Sequence, residues 1–444
     1  MRRLGRIGIA AALAVGLFLT AALALTRGGA EPPASAASRS IPEADTLLAP
    51  GASSSFEGTI AALQARLRAF PDDWRSFASL GLAYVQEARV TADPSYYPKA
   101  EGVLRRSLDA HPQDNFEAMV GMAALAAARH DFAAALDWGE QARAVNPYNG
   151  SVYGVIGDAQ IELGRYDAAF QSFQTMVDTR PDLASYARVS YVRELQGDVD
   201  GAIRAMRSAE AFAGTQADRA WAAYQLGELY FNSGRLERAA AEYRRGAELA
   251  PAFVPPQAGL AKVAWARGDL QESIDRYVEV TQRYPAPEHV IALGDLYEAA
   301  GEPDLAQQQF DLVATIQQLF TANGVNVDLE LSLYEADHGR GAEALATARA
   351  EWDRRHSIHV ADALGWALHA NGRDREATRY AARALSLGTR NALFLFHAGM
   401  IRLGLGDRDG ARQLLERALE TNPSFSIRYS PVARETLRSL GGTA

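Results

Sequence analysis

The 444-residue sequence contains no cysteine. Disulfides, thiolate metal sites, cysteine nucleophiles and a lipidated N-terminal cysteine are excluded together. Lysine is almost missing too: of 45 basic side chains only Lys99 and Lys262 are lysine, which reads as codon bias rather than selection for the bidentate contacts arginine makes. The familiar catalytic signatures are absent. There is no Walker-type phosphate loop, no dinucleotide-binding glycine pattern after a strand, no HExxH and no GxSxG. Nor is there an excess of cations. Beyond residue 30 stand 41 basic against 54 acidic side chains, a balance that argues against a nucleic-acid partner, whose affinity comes from clustered positive charge.

Charge is also missing from Ile7 to Thr26, a run of 20 residues behind Arg2, Arg3 and Arg6. A helix of that length rises about 30 Å, enough to cross a bilayer core. The preceding arginines keep that end cytoplasmic and place the remainder outside. Residues 1–26 are expected to be a transmembrane anchor or a signal peptide, with Ala22-Leu23-Ala24 and Gly28-Gly29-Ala30 as small-x-small cleavage sites. Either reading delivers the chain to the periplasm or cell envelope. An uncleaved segment would make the membrane a partner. Residues 27–55, rich in Ala, Ser, Pro and Gly, are expected to be a flexible tether.

The rest of the chain repeats. Glycines recur at Gly164, Gly197, Gly234, Gly268, Gly301, Gly339, Gly372 and Gly406. A second ladder runs Gly81, Gly157, Gly227, Gly294, Gly365 and Gly399, and Pro147–Pro181 and Pro251–Pro285 form a third. The spacing, close to 34 residues, matches the pattern W-x2-L-G-x2-Y…A-x3-F…P. One unit reads Phe77, Leu80, Gly81, Tyr84, Ala100, Leu104 and Pro112; another reads Leu226, Gly227, Tyr230, Ala239, Tyr243 and Pro251; a third has Leu293, Gly294, Tyr297, Ala306 and Phe310. On these residues the chain resembles the tetratricopeptide-repeat (TPR) family over roughly Trp74 to Pro423, as ten units. It also resembles a lineage of exported bacterial TPR proteins with segments like Val327–Gly339. The resemblance implies an all-α fold: a right-handed α-solenoid over 73–423, a capping helix within 56–72 and another within 424–444. Small ladder residues let the helices of a unit approach, and the glycine between helices takes positive φ at little steric cost. Each pair leaves an apolar face that only stacking buries. The regularity lapses at 90–96, 213–216 and 320–325; longer connections in a solenoid fall on one face and can carry function, and these are read first as tolerated insertions.

Six of the eight histidines fall between His289 and His397. His356 and His359, three apart, would share one face of a helix, and Asp328, Glu335 and His338 invite the same thought. A metal-dependent enzyme built on the His338–His397 region is a remote alternative, because no third or fourth ligand is identifiable. No metal, cofactor or catalytic residue is expected.

The resemblance further implies that the first helix of each pair lines the concave surface. Its register puts Tyr191, Glu194, Tyr224, Glu228, Phe231, Lys262, Trp265, Asp295, Glu298, Asp362, Trp366 and His369 in that groove. A lone lysine among acids argues against the carboxylate clamp of TPR co-chaperones. Aromatics among carboxylates suit a basic or apolar-aromatic polypeptide segment. The expected role is a non-catalytic scaffold or adaptor for partner proteins in the envelope. A carbohydrate- or lipid-binding protein is the alternative, since such grooves also grip sugars.

Overall fold

The computed structural model describes residues 56–442; the expected leader or anchor at 1–26 and the tether at 27–55 lie outside the described residues. These residues form 22 helices and no strand. None of the helices is long and apolar enough to cross a membrane. A leading helix, α1 (Glu57–Ala69), is followed by ten pairs. The first five are α2 (Trp74–Thr91) with α3 (Tyr96–Ala110), α4 (Phe116–Ala128) with α5 (Phe132–Val145), α6 (Gly150–Glu162) with α7 (Tyr166–Thr179), α8 (Leu183–Leu195) with α9 (Val199–Ala211), and α10 (Gln216–Asn232) with α11 (Leu236–Leu249). The next five are α12 (Pro255–Ala266) with α13 (Leu270–Arg283), α14 (Pro287–Ala300) with α15 (Pro303–Ala322), α16 (Asp328–Asp337) with α17 (Gly341–Arg354), α18 (Ile358–Ala370) with α19 (Asp374–Ala384), and α20 (Ala392–Gly404) with α21 (Arg408–Thr421). A last helix, α22 (Tyr429–Ser439), closes the stack.

Local chemistry sets these boundaries. Asp73, Asn115, Asp131, Asp198, Asp269 and Asp407 accept a backbone N–H in the first turn of their helices, satisfying donors a helix start leaves orphaned. Proline opens α12, α14 and α15, where no N–H is needed. All eight glycines of the first ladder have positive φ, between 67° and 87°. In the second ladder a Cβ at Gly227 would overlap the ring of Tyr243, which is fully buried between α10 and α11. Small faces large, and the two helices of a unit close on each other.

The stack does not stay open. Tyr166 accepts a hydrogen bond from the Ile358 N–H at 2.7 Å, 192 residues further on. Arg355 reaches Glu162 at 2.8 Å across 193 residues. His130 Nδ1 lies 2.6 Å from the Asn326 carbonyl across 196 residues, and the Asn326 N–H donates to the Arg129 carbonyl at 3.1 Å. One superhelical turn therefore takes roughly five and a half 34-residue units, and the next turn lands on it. Ladder glycines do a second job here. Gly164 and Gly197 sit against the carbonyls of His356 and Gly388, and Gly234 against that of Thr421, where a Cβ has no room. Apolar packing seals the junction: Ile161, Tyr166, Phe173 and Leu195 share one buried cluster with Ile358, Ala384 and Phe394. The insertion at 320–325 is part of this seam, since it delivers Gly324 and Asn326 to Arg129.

Candidate functional site

The concave face becomes a lumen because one turn of the superhelix roofs the other. A cavity of about 810 Å³ lies inside it. Its wall is built mainly from first helices of pairs: Gln86 and Arg89 of α2, Tyr191 and Glu194 of α8, Tyr224, Glu228 and Phe231 of α10, Lys262 and Trp265 of α12, Glu288 and His289 of α14, Glu330 of α16, His359 and Asp362 of α18, and Phe394 of α20. Tyr277, Arg283 and Tyr284 come from the end of the sixth pair, and residues 421–427 close one side. The lengthened α2, where the 90–96 insertion begins, carries Arg89 and Val90 to this wall.

Eight of the twelve residues placed in the groove from sequence line the cavity: Tyr191, Glu194, Tyr224, Glu228, Phe231, Lys262, Trp265 and Asp362. Tyr191, Phe231 and Asp362 are largely buried in the wall. Asp362 is spent on His397, 2.9 Å from its Nδ1. Lys262 does not stand alone. It bonds both oxygens of Glu228 at 2.6 and 2.7 Å, Tyr243 donates to Glu228 at 2.6 Å, and the ammonium lies 4.9 Å from the Phe231 ring.

The other four, Asp295, Glu298, Trp366 and His369, are not in the cavity wall. Register transfer treats every unit alike, but the segment leading into α22 lies back over the concave side of the later units. Arg428 donates to Asp295 at 2.9 Å and also pairs with Glu298. Tyr429 donates to Asp337 at 2.7 Å, as does the Trp366 indole N–H. Trp366 is 6% exposed and stacks on His397 with centroids 4.1 Å apart. His369 pairs with Asp374. Trp366 packs in the core, and the other three are paired within the protein.

The histidine readings dissolve in a similar way. His356 precedes α18, whose N-cap is Ser357, so it does not share a helical face with His359. It meets Trp352 edge to face, with centroids 4.7 Å apart, whereas His359 faces the cavity. Asp328 pairs with Arg354, Glu335 accepts from Thr347 at 3.1 Å, and His338 lies 3.3 Å from Asp295. Asp295, Glu298 and His338 do converge within 4.8 Å. The guanidinium of Arg428 sits among all three, 2.9 Å from His338 Nε2, and supplies the positive charge there.

Inside the cavity the electrostatics are set by burial. Glu288 and Glu330 are both pushed up to about 8, chiefly by desolvation. For Glu288 the nearby Glu330 adds to the shift, while Lys262 opposes it. Burial also raises Glu194 to about 7, against a hydrogen bond from Asn232. His289 and His359 are pushed down to about 3 and 4 by desolvation and stay neutral. The Arg89 guanidinium is likewise disfavoured by burial. Sequence reasoning missed Gln86, Arg89, Tyr284, Glu288 and Glu330, because their convergence depends on how far the solenoid winds.

Family models described as tetratricopeptide repeat match residues 150–183, 222–253, 259–319 and 394–424. No curated protein matches the sequence significantly. Among solved structures, yeast Tom70 is 14% identical and covers 87% of this chain and 85% of its own, with a TM-score of 0.38. The human IFIT1 dimer with PPP-AAAA is 13% identical, covering 82% and 86%, with a TM-score of 0.44. A thermophilic TPR protein of Thermus thermophilus is 21% identical over 42% of this chain and 99% of its own, with a TM-score of 0.37.

Proposed function

This chain is a tetratricopeptide-repeat protein, and we propose that it is a non-catalytic adaptor that holds a segment of a partner polypeptide in its lumen. Tetratricopeptide repeats mediate protein–protein interaction, and here the first helices of eight pairs converge on one chamber. That chamber is the observation on which the reading rests. Tyr224, Trp265, Tyr277 and Tyr284 offer rigid apolar area at its wall, and such side chains dominate the energetics of peptide recognition. The volume falls within the ~300–1,000 Å³ range of ligand pockets, so what enters is a short segment, not a domain. The setting we propose is a bacterial envelope, from the charge-free run behind three arginines.

Photo-crosslinking tests this. A benzoyl-phenylalanine at Tyr224 in the full chain should crosslink one defined peptide of a partner protein, identified by mass spectrometry, and Trp265→Ala should abolish that crosslink. The same group at Tyr148, which is 86% exposed on the outer surface, serves as control. A Tyr224 probe that captures no polypeptide, or only a sugar or lipid, would overturn the reading and favour the envelope-carbohydrate or lipid alternative.

A further inference from the structure

We propose that the lumen takes up a cationic group, an ammonium or guanidinium, between Glu288 and Glu330, as a lysine or arginine side chain of the bound segment would present it. This rests on the lumen being the binding site and names the chemistry of its guest.

Glu288 stands on the second residue of α14 and Glu330 on the third of α16, the first helices of consecutive pairs, and both face the same cavity. Other acids on this surface are satisfied from within the protein. Lys262 and Tyr243 hold Glu228, His397 holds Asp362, and Asn232 bonds Glu194. Among the described residues, Glu288 Oε2 and both oxygens of Glu330 meet no partner beyond their own backbone N–H. The two cations that act on these carboxyls are committed. Lys262 faces Glu288 but is clamped by Glu228. Arg355 faces Glu330 but is tied to Glu162 and Glu351. Arg89, across the cavity, lies beside Tyr97 and Tyr284. His289 and His359 are neutral.

An independent observation shows that the chamber is fitted for a polar guest. Gln86 and Gln225 are 6% and 4% exposed and line the cavity, and Gln86 Nε2 and Gln225 Oε1 have no hydrogen-bond partner among the described residues. Buried amide groups are rarely left so, and a ligand that bonds them removes the penalty. Tyr224, Tyr277 and Tyr284 all lie near Glu288. Their rings suit the methylene stem of a long cationic side chain and add cation–π attraction. Burial favours the protonated form of both carboxyls near neutral pH. An entering cation makes the carboxylates favourable and sends those protons to solvent.

Titration calorimetry on the full chain tests this with four probes: 1,5-pentanediamine, 1,5-pentanediol, an acetylated leucine–lysine–leucine amide, and its norleucine counterpart. The diamine and the lysine peptide should bind, and the diol and norleucine peptide should bind about tenfold more weakly or worse. Proton release should make the binding enthalpy depend on the buffer near pH 7. The paired variant Glu288→Gln and Glu330→Gln keeps the shape, removes two buried ionisable groups, and should lose both the discrimination and the buffer dependence. Circular dichroism verifies its fold. Equal binding of the lysine and norleucine peptides overturns the cation site while leaving the lumen reading intact. Binding of the diamine with neither peptide supports the cation site and overturns the polypeptide reading. Failure of both the diamine and the lysine peptide to bind, or undiminished binding by the variant, overturns the cation site.

Discussion

Arg355 and Glu162 lie 193 residues apart and meet as an ion pair 2.8 Å long, each side chain no more than 2% exposed. The pair joins the start of the second superhelical turn to α6 of the first. Phe132 lies under the same guanidinium, 4.9 Å from ring centre to Cζ, and Glu351 supplies a second carboxylate. Breaking a buried pair by removing one member strands the other, at about 3–5 kcal/mol. Because Arg355 keeps Glu351, Glu162→Ala is expected at the low end, about 3 kcal/mol, measured by urea unfolding. A loss below about 0.5 kcal/mol, the size of an ordinary surface change, would show that the turns are not held together here.

Two ladder glycines separate local from long-range roles. Gly301 has φ of +77° and nothing near its missing Cβ, whereas Gly197 has φ of +76° and the Gly388 carbonyl against it. Gly301→Ala should cost only the left-handed penalty, about 1–2 kcal/mol. Gly197→Ala should cost more and should also raise the radius of gyration in small-angle scattering as the turns part. Equal effects from the two would remove Gly197 from the seam.

Two tryptophans predicted to share a groove should behave differently. Trp265 is half-buried in the cavity wall, and its change to Ala should weaken a crosslinked partner by about 2–4 kcal/mol. Trp366 is packed between His397, Tyr429 and Asp337, so Trp366→Ala should lower fold stability by about 3–5 kcal/mol. Thermal unfolding and binding measured on both variants check the assignment.

Stability should fall on both sides of a maximum in pH. Burial raises Glu288 and Glu330 to about 8 from an ordinary 4.5, so the folded protein binds more protons than the unfolded chain between those values. Their contribution is complete below pH 4.5 and is lost as pH rises through 8. His130, His289 and His359 are pushed down to about 4, 3 and 4 from 6.5 by burial. Here the unfolded chain binds more protons, so their contribution is complete above pH 6.5 and is lost as pH falls toward 3. Unfolding free energy measured from pH 6.5 to 9 should decline, and less steeply in the paired Glu→Gln variant. An unchanged slope would place the two carboxyls in water.

What the sequence made legible was whatever one unit decides for itself. Gly227 against Tyr243 is a contact within a pair, and the positive φ of Gly164 through Gly406 is a property of one turn. Both are written in local spacing. The seam is not, because Tyr166 meets Ile358 only after small rotations between units have added up over a full superhelical turn. An error of a few degrees per unit would have put some other residue there. The same accumulation brings Gln86 of the first pair opposite α10, α14 and α16 around the cavity. Asp295, Glu298, Trp366 and His369 stand outside the cavity wall for a related reason. A register argument carries no knowledge that Arg428 and Tyr429 fold back onto the later units.

The closure of one superhelical turn on the next underlies the lumen and everything proposed for it. Native-state hydrogen exchange reads it directly at two amides outside the helical ladder: Ile358 N–H, bonded to the Tyr166 hydroxyl, and Asn326 N–H, bonded to the Arg129 carbonyl. Both should be protected like the helix interiors of the stack, and Tyr166→Phe should release Ile358 while leaving those interiors unchanged. Exchange of both amides at the rate of free loops in the unaltered protein, with the helices still protected, would mean that the solenoid is open.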